Sequence, residues 1–159
     1  MLDSFDLKIL KEWQKAGDTG PGEMSKLVHL SPSQCSRRMS ALKASGLIRS
    51  VNVVLDAERL GLGVTAYLLV SLKTHNPKAT ESFYARLNEL DEVLECQTLT
   101  GAADAILKVR TKDLKTFNDL LTNELLSFDA VANVQSSIVL ENIKSTTVVP
   151  TRFIARDGG

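Results

Sequence analysis

Leu30-Ser31-Pro32-Ser33-Gln34-Cys35-Ser36-Arg37-Arg38-Met39 is the stretch whose reading decides this chain. Ser31 stands where a helix N-cap would accept from the third helical N–H. Pro32 follows at the first helical position, where its missing donor costs nothing. Gln34 sits three residues after the cap and completes a capping box. The helix that opens there places Cys35, Met39 and Leu42 on one apolar face, and Gly46 ends it. Leu47 and Ile48 are expected to pack back on the core.

Upstream, Asp3 caps a first helix with Asp6 at its N3 position. Phe5, Ile9, Leu10 and Trp13 recur along it at helical spacing, and Gly17 stops it. The turn formers Asp18-Thr19-Gly20-Pro21-Gly22 come next. A short second helix carries Met24, Leu27 and Val28, and His29 falls at the turn after it as a surface or capping residue. Two short helices joined by a tight turn, with a third before them, make a helix-turn-helix. The outward residues early in the last helix are the ones that such a unit lays in a DNA major groove. They are Ser33, Gln34, Ser36, Arg37, Arg38 and Ser40. Arg37 or Arg38 suits a bidentate contact to guanine and Gln34 a contact to adenine, while Lys43 and Arg49 are placed for phosphates. The plain alternative is a solvated face on a three-helix bundle.

Downstream the pattern changes period. Val51 to Leu55 reads as a strand and 56–63 as a linker with one helical turn. Then come a strand from Val64 to Lys73, a helix from Pro77 to Leu90, a strand from Val93 to Thr100 and, after the Gly101 turn, a strand from Ala105 to Arg110. A helix from Asp113 to Phe128, with Leu114, Phe117, Leu121 and Leu125 in register, precedes a long strand from Val131 to Ile143. That order is β-α-β-β-α-β, the ferredoxin-like split. The fold class is therefore α+β: a helix-turn-helix, winged-helix-like domain over 1–50, the strand and linker 51–63, a ferredoxin-like domain over 64–148 and a tail at 149–159. Helices cover one face of such a sheet. Tyr67, Leu69, Leu99, Ile106, Ile138 and Leu140 are candidates for the other, and an apolar uncovered face predicts self-association. A dimer also suits a head that reads two half-sites.

Composition narrows the function. In 159 residues, 43% are hydrophobic and 24% charged, enough to pack a core. Net charge is zero, but the first fifty residues hold eight Lys/Arg against five Asp/Glu and the rest eleven against fourteen, a basic head on an acidic body. No apolar run is long enough to span a membrane and the start lacks a signal-peptide pattern, so a cytoplasmic protein is expected. Cys35 and Cys96 have no metal-ligand spacing. No cofactor or metal is expected.

The chain resembles the Lrp/AsnC regulators, also called feast/famine regulatory proteins. The resemblance is carried by Leu2-Asp3-x-x-Asp6-x-x-Ile9-Leu10, by Leu30-Ser31-Pro32-Ser33-x-Cys35-x-x-Arg38, by Leu42 and by Gly46-Leu47-Ile48. In the second half Glu95-Cys96 leading to Gly101-x-x-Asp104 looks like the family's turn, and 139–144 like its final strand. The resemblance implies a sequence-specific, double-stranded-DNA-binding transcriptional regulator and not an enzyme, a homodimer or octamer, and an amino-acid effector held between neighbouring dimers. Carried over by position, the effector site involves Thr98, Gly101, Asp104, Leu114, Ser137, Ile138 and Val139. Asp104 would accept from an α-ammonium or order its loop, and Leu114 and Ile138 would meet an apolar side chain. Ala102 and Ala103 depart from the acidic and aromatic residues common in the family's turn and Ala105 from a common aromatic, while Ser137 replaces an aromatic of some leucine-responsive members. A tetrapyrrole-processing enzyme on a related fold would want acid–base groups, of which the second half offers only His75. A DNA-architectural protein without a preferred site is the other alternative.

Overall fold

The computed structural model describes residues 2–73 and 77–154, so His75 lies outside the described residues. The chain divides into two compact units, one made of the residues up to Leu55 with those from Lys144 onward, the other of Asp56–Ile143.

Three helices build the first unit: α1 (Ser4–Ala16), α2 (Pro21–Val28) and α3 (Pro32–Ala44). Each starts as its sequence dictates. The Asp3 carboxylate accepts from the Phe5 and Asp6 N–H groups, and Asp6 accepts in return from the Asp3 N–H. Ser31 and Gln34 close the same box on α3, with Pro32 inside it. Gly17 adopts φ 67° at the end of α1. His29 takes φ 59°, unusual for a residue with a Cβ, and its N–H and that of Leu30 both donate to the Ser25 carbonyl, so the turn between α2 and α3 is a left-handed cap. Ile9, Trp13, Met24, Val28, Cys35, Met39 and Leu42 form the core of this unit.

Phe5 and Leu47 do not join that core. They remain 37% and 53% exposed, and Leu7 is buried instead of Phe5. Val51 to Leu55 is not a strand. Val53 and Val54 are 86% and 90% exposed, and the segment pairs with no strand among the described residues. The β-branched run has the propensity for a strand but no ladder partner there.

The second unit is a four-stranded antiparallel sheet with helices on one face. Its elements are β1 (Val64–Leu72), α4 (Pro77–Leu87), β2 (Val93–Thr98), β3 (Ala105–Thr111), α5 (Leu114–Asp119) and β4 (Val131–Ile138). The strand order β2-β3-β1-β4 is that of the split β-α-β, each half contributing one central and one edge strand. Alternate residues of the two central strands, Ala66, Leu68, Val70, Ala105, Leu107 and Val109, pack against Phe83, Leu87, Leu90, Phe117, Leu120 and Leu125.

The second helix of this unit departs from a continuous α-helix. After Asp119 it widens into a π-helical stretch, Leu120–Leu125, with the Leu126 N–H reaching back five residues to the Leu121 carbonyl. The buried face is Phe117, Leu120 and Leu125, the last two joined across the wider turn, while Leu114, in the first turn and ahead of that stretch, is 59% exposed.

Register settles the uncovered face. Tyr67 lies opposite Lys108 and Ser137, and Leu69 opposite Ile106 and Gln135. Ile138 lies opposite buried Ala66, so it belongs to the helix-covered side, not to the open one. Because β4 stops at Ile138, Leu140 is beyond the sheet and 98% exposed. The open face is mixed: a patch of Tyr67, Leu69 and Ile106 beside a Lys108–Glu95 ion pair at 2.9 Å and an Arg110–Thr65 hydrogen bond at 3.1 Å.

Candidate nucleic-acid interface and effector site

The exposed side of α3 carries Ser33, Gln34, Ser36, Arg37 and Ser40, as its apolar spacing requires once Cys35, Met39 and Leu42 face inward. These residues are not equivalent. The Gln34 Oε1 is taken by the cap, accepting from the Ser31 N–H at 3.1 Å and its hydroxyl at 3.0 Å. Ser33 Oγ lies 3.1 Å from Ser31 Oγ. Ser36, Arg37 and Ser40 make no side-chain hydrogen bond or ion pair among the described residues, and Arg37 lines a cleft of about 460 Å³ together with Asp6, Arg38, Ala41 and Leu47.

Arg38, adjacent in sequence to Arg37, is committed elsewhere. Its Nη1 donates to Asp6 Oδ1 at 2.6 Å and lies 2.7 Å from Asp3 Oδ2, and its side chain is only 23% exposed. The guanidinium also lies 5.6 Å from the centroid of the Phe5 ring, which explains why Phe5 sits at the surface. Bonds to Asp6 and then to Asp3 raise the Arg38 pKa further above its ordinary value. The Asp6 N–H above all holds the Asp3 carboxyl below its usual range; burial opposes it, and Arg38 and the Phe5 N–H add to the lowering. The same two carboxylates thus cap α1 and brace α3. Arg38 braces α3 against α1 in this structure instead of projecting from it. Spacing alone could not separate Arg37 from Arg38, because the carboxylates lie more than thirty positions away.

Lys43 is exposed, with its Nζ 5.2 Å from the Trp13 ring centroid, and Arg49 is exposed beyond the helix end. Cys35 is fully buried, and burial pushes its thiol pKa up, the opposite of what a reactive thiolate needs.

The seven effector candidates fall into two groups. Thr98, Gly101 and Asp104 surround the turn between β2 and β3. Leu114 follows β3, whose seven residues hold it roughly 20 Å from Asp104. Ser137, Ile138 and Val139 close the edge strand β4 near that far end, where the Val139 N–H donates to Thr65 at 2.9 Å. Asp104 ties its turn to the neighbouring strand. Its Oδ2 accepts from the Leu72 N–H at 2.7 Å, its own N–H donates to the Val70 carbonyl, and its carbonyl accepts from Leu99. Gly101 adopts φ 119°, a conformation that requires glycine in this turn.

A shallow cavity of about 400 Å³ opens on the uncovered sheet face beside the first group. It is lined by Leu69, Ser71, Leu99, Thr100, Asn133 and Gln135 with Ala102 and Ala103. None of these carries a charge. The Ser71 hydroxyl donates to the Ala102 carbonyl, whereas the Asn133 and Gln135 amides are without a hydrogen bond among the described residues. Sequence reasoning missed both amides. Their signal, alternate polar residues on β4, is shared by any half-exposed strand.

Comparison with known proteins finds two family models along the chain. Residues 2–49 match the winged helix-turn-helix DNA-binding model and residues 65–149 the Lrp/AsnC ligand binding domain. The transcriptional regulator AzlB of Bacillus subtilis is 35% identical over 150 residues, covering 94% of this chain and 96% of the relative. The leucine-responsive regulatory protein of Haemophilus influenzae is 32% identical, over 91% and 87% of the two chains. Among solved structures, a transcriptional regulator from Neisseria meningitidis in complex with L-Met superposes with a TM-score of 0.91 at 38% identity, covering 94% of this chain and 97% of that one. Two matched domains in this order, and relatives alike over nearly their whole length, show that the chain belongs to the Lrp/AsnC family of DNA-binding transcriptional regulators.

Proposed function

We propose that this regulator reads its operator with Ser36, Arg37 and Ser40 of α3, and that a neutral amino acid modulates it from a site shared between copies of the chain. The observation that carries the first half is the division of labour between neighbouring arginines. Arg38 fixes α3 against α1, which leaves Arg37 as the guanidinium without a partner, among the described residues, on the outward face of α3. Ser33 and Gln34, held in the cap, set the helix end and approach the backbone, with Lys43 and Arg49 serving phosphates.

The second half rests on separation. The Thr98–Gly101–Asp104 group and the Leu114–Ser137–Ile138–Val139 group lie at different ends of one sheet, too far apart to hold one amino acid. A single site using both needs a second copy, consistent with a homo-oligomer. The uncharged cavity beside Thr100 has the size for a small ligand, and its amides suit a zwitterion with a neutral side chain. The Neisseria relative in complex with L-Met makes methionine the first ligand to test.

Selection of genomic fragments by the purified protein at fixed salt, with and without methionine, tests the reading. Enrichment of a few promoters sharing a two-fold motif, shifted by methionine, is expected. Recovery of DNA without a shared motif would replace the regulator with a general DNA-architectural role.

A further inference from the structure

Residues 144–154 are tied to the head. Beyond β4, residues 139–148 form no helix or strand, yet Val149 meets α1 through both of its backbone groups. Gln14 Nε2 donates to the Val149 carbonyl at 2.9 Å, and the Val149 N–H donates to Gln14 Oε1 at 2.9 Å. One side-chain amide thus serves as a strand partner would. The Val148 N–H donates to Thr146 Oγ1 at 3.1 Å, fixing the approach, and the 3-10 turn Thr151–Phe153 after Pro150 packs on α1. Residues 144–154 accordingly cluster with the head and not with the sheet that precedes them.

We infer that residues 144–154 are a docking strap whose attachment to α1 sets the head's affinity for DNA. The inference rests on the DNA-binding reading of α3. Three observations support it. α1 is the helix whose Asp3 and Asp6 hold Arg38, so what steadies α1 steadies the reading helix. The strap's seat is at the surface, with Val149 61% exposed, so it opens without disturbing either core. The chain joins the two units twice, at 55–56 and at 143–144, and the second join runs through the irregular residues 139–148 from the β4 end that bears Ser137–Val139 to the Gln14 clamp. An event at that end therefore has a covalent route to α1. Undocking removes the two bonds together, because turning the Gln14 amide breaks both.

Linkage makes the inference exacting. If docking favours DNA binding, DNA must favour docking by the same factor. The test compares the full chain with Gln14→Ala and, from the strap side, Val149→Pro, which deletes the donor and leaves α1 untouched. Affinity is measured for a duplex that the wild-type protein selects from random sequence, and exchange of the Val149 amide in wild type is followed with and without that duplex. Both variants are expected to bind about fivefold or more weakly with unchanged melting of the sheet domain, and the duplex to slow Val149 exchange by a comparable factor. Wild-type affinity in both variants, or Val149 exchange indifferent to DNA, overturns the strap. A wild-type protein that selects no duplex fails the DNA-binding reading itself, and is told apart because that arm involves no variant.

Discussion

Arg37 and Arg38 are neighbours in different surroundings, and the difference is one of partners. Removing Arg37 leaves every described interaction of the head in place. Arg37→Ala is therefore expected to cost about 1–3 kcal/mol of operator binding and to relax specificity at one base position, without changing the urea midpoint. Removing Arg38 strips two carboxylates, Asp3 and Asp6, of their shared cation. Arg38→Ala is expected to lower the stability of the head by about 1–3 kcal/mol and to weaken operator and random DNA alike. Equilibrium unfolding together with binding to matched and mismatched duplexes separates the two. Equal effects of both substitutions on stability would remove the distinction. The sequence pointed to both arginines equally, since helical spacing tells which way a residue faces but not which distant carboxylate reaches it.

Helix starts were the most legible elements, because a cap is local chemistry. Asp3 with Asp6, Ser31 with Gln34, and Asp113 with the Thr116 N–H all occupy the positions that their residue types predict. Two of these caps give the protein an acid-labile component. The Asp6 N–H in one case and the Thr116 N–H in the other are the main causes that hold Asp3 and Asp113 below the usual carboxyl pKa of 3.8. A carboxyl whose folded pKa is depressed adds stability above its unfolded value and loses it as pH falls through the folded one. Stability in urea is therefore expected to decline as pH drops below about 4, and Asp3→Asn to flatten part of that decline in the head alone. A pH profile unaltered by Asp3→Asn would show that the cap's charge does not contribute. Elements that depend on remote partners were less legible. The π-helical stretch keeps the leucine content of an α-helix but changes which leucine is buried. The Val51–Leu55 run has strand residues without a strand beside it. Ile138 took the covered face because register, which pairs it with Ala66, is set across strands and not along one.

At the scale of the whole molecule, the effector candidates pose a geometric problem that one chain does not solve. Carry-over by position identified seven residues from the linear order, and folding sends them to different ends of the sheet, with β3 as the spacer between Asp104 and Leu114. A site made of one group from each of two copies has a signature that no single-chain site shares. Thr98→Trp and Ser137→Trp each block one group at an exposed position. Each variant alone is expected to bind no methionine by calorimetry while keeping its fold. After the two are unfolded, mixed in equal amounts and refolded, each composite site draws its two halves independently. About a quarter of the sites then combine two intact halves, and methionine binding should return to about that fraction of wild type. Failure to recover any binding in the mixture, with both parents folded and assembled, would refute the composite site, and methionine binding retained by the Ser137→Trp parent would place the whole site within one copy. The cavity beside Thr100, with its Asn133 and Gln135 amides, would then be the remaining place for the ligand.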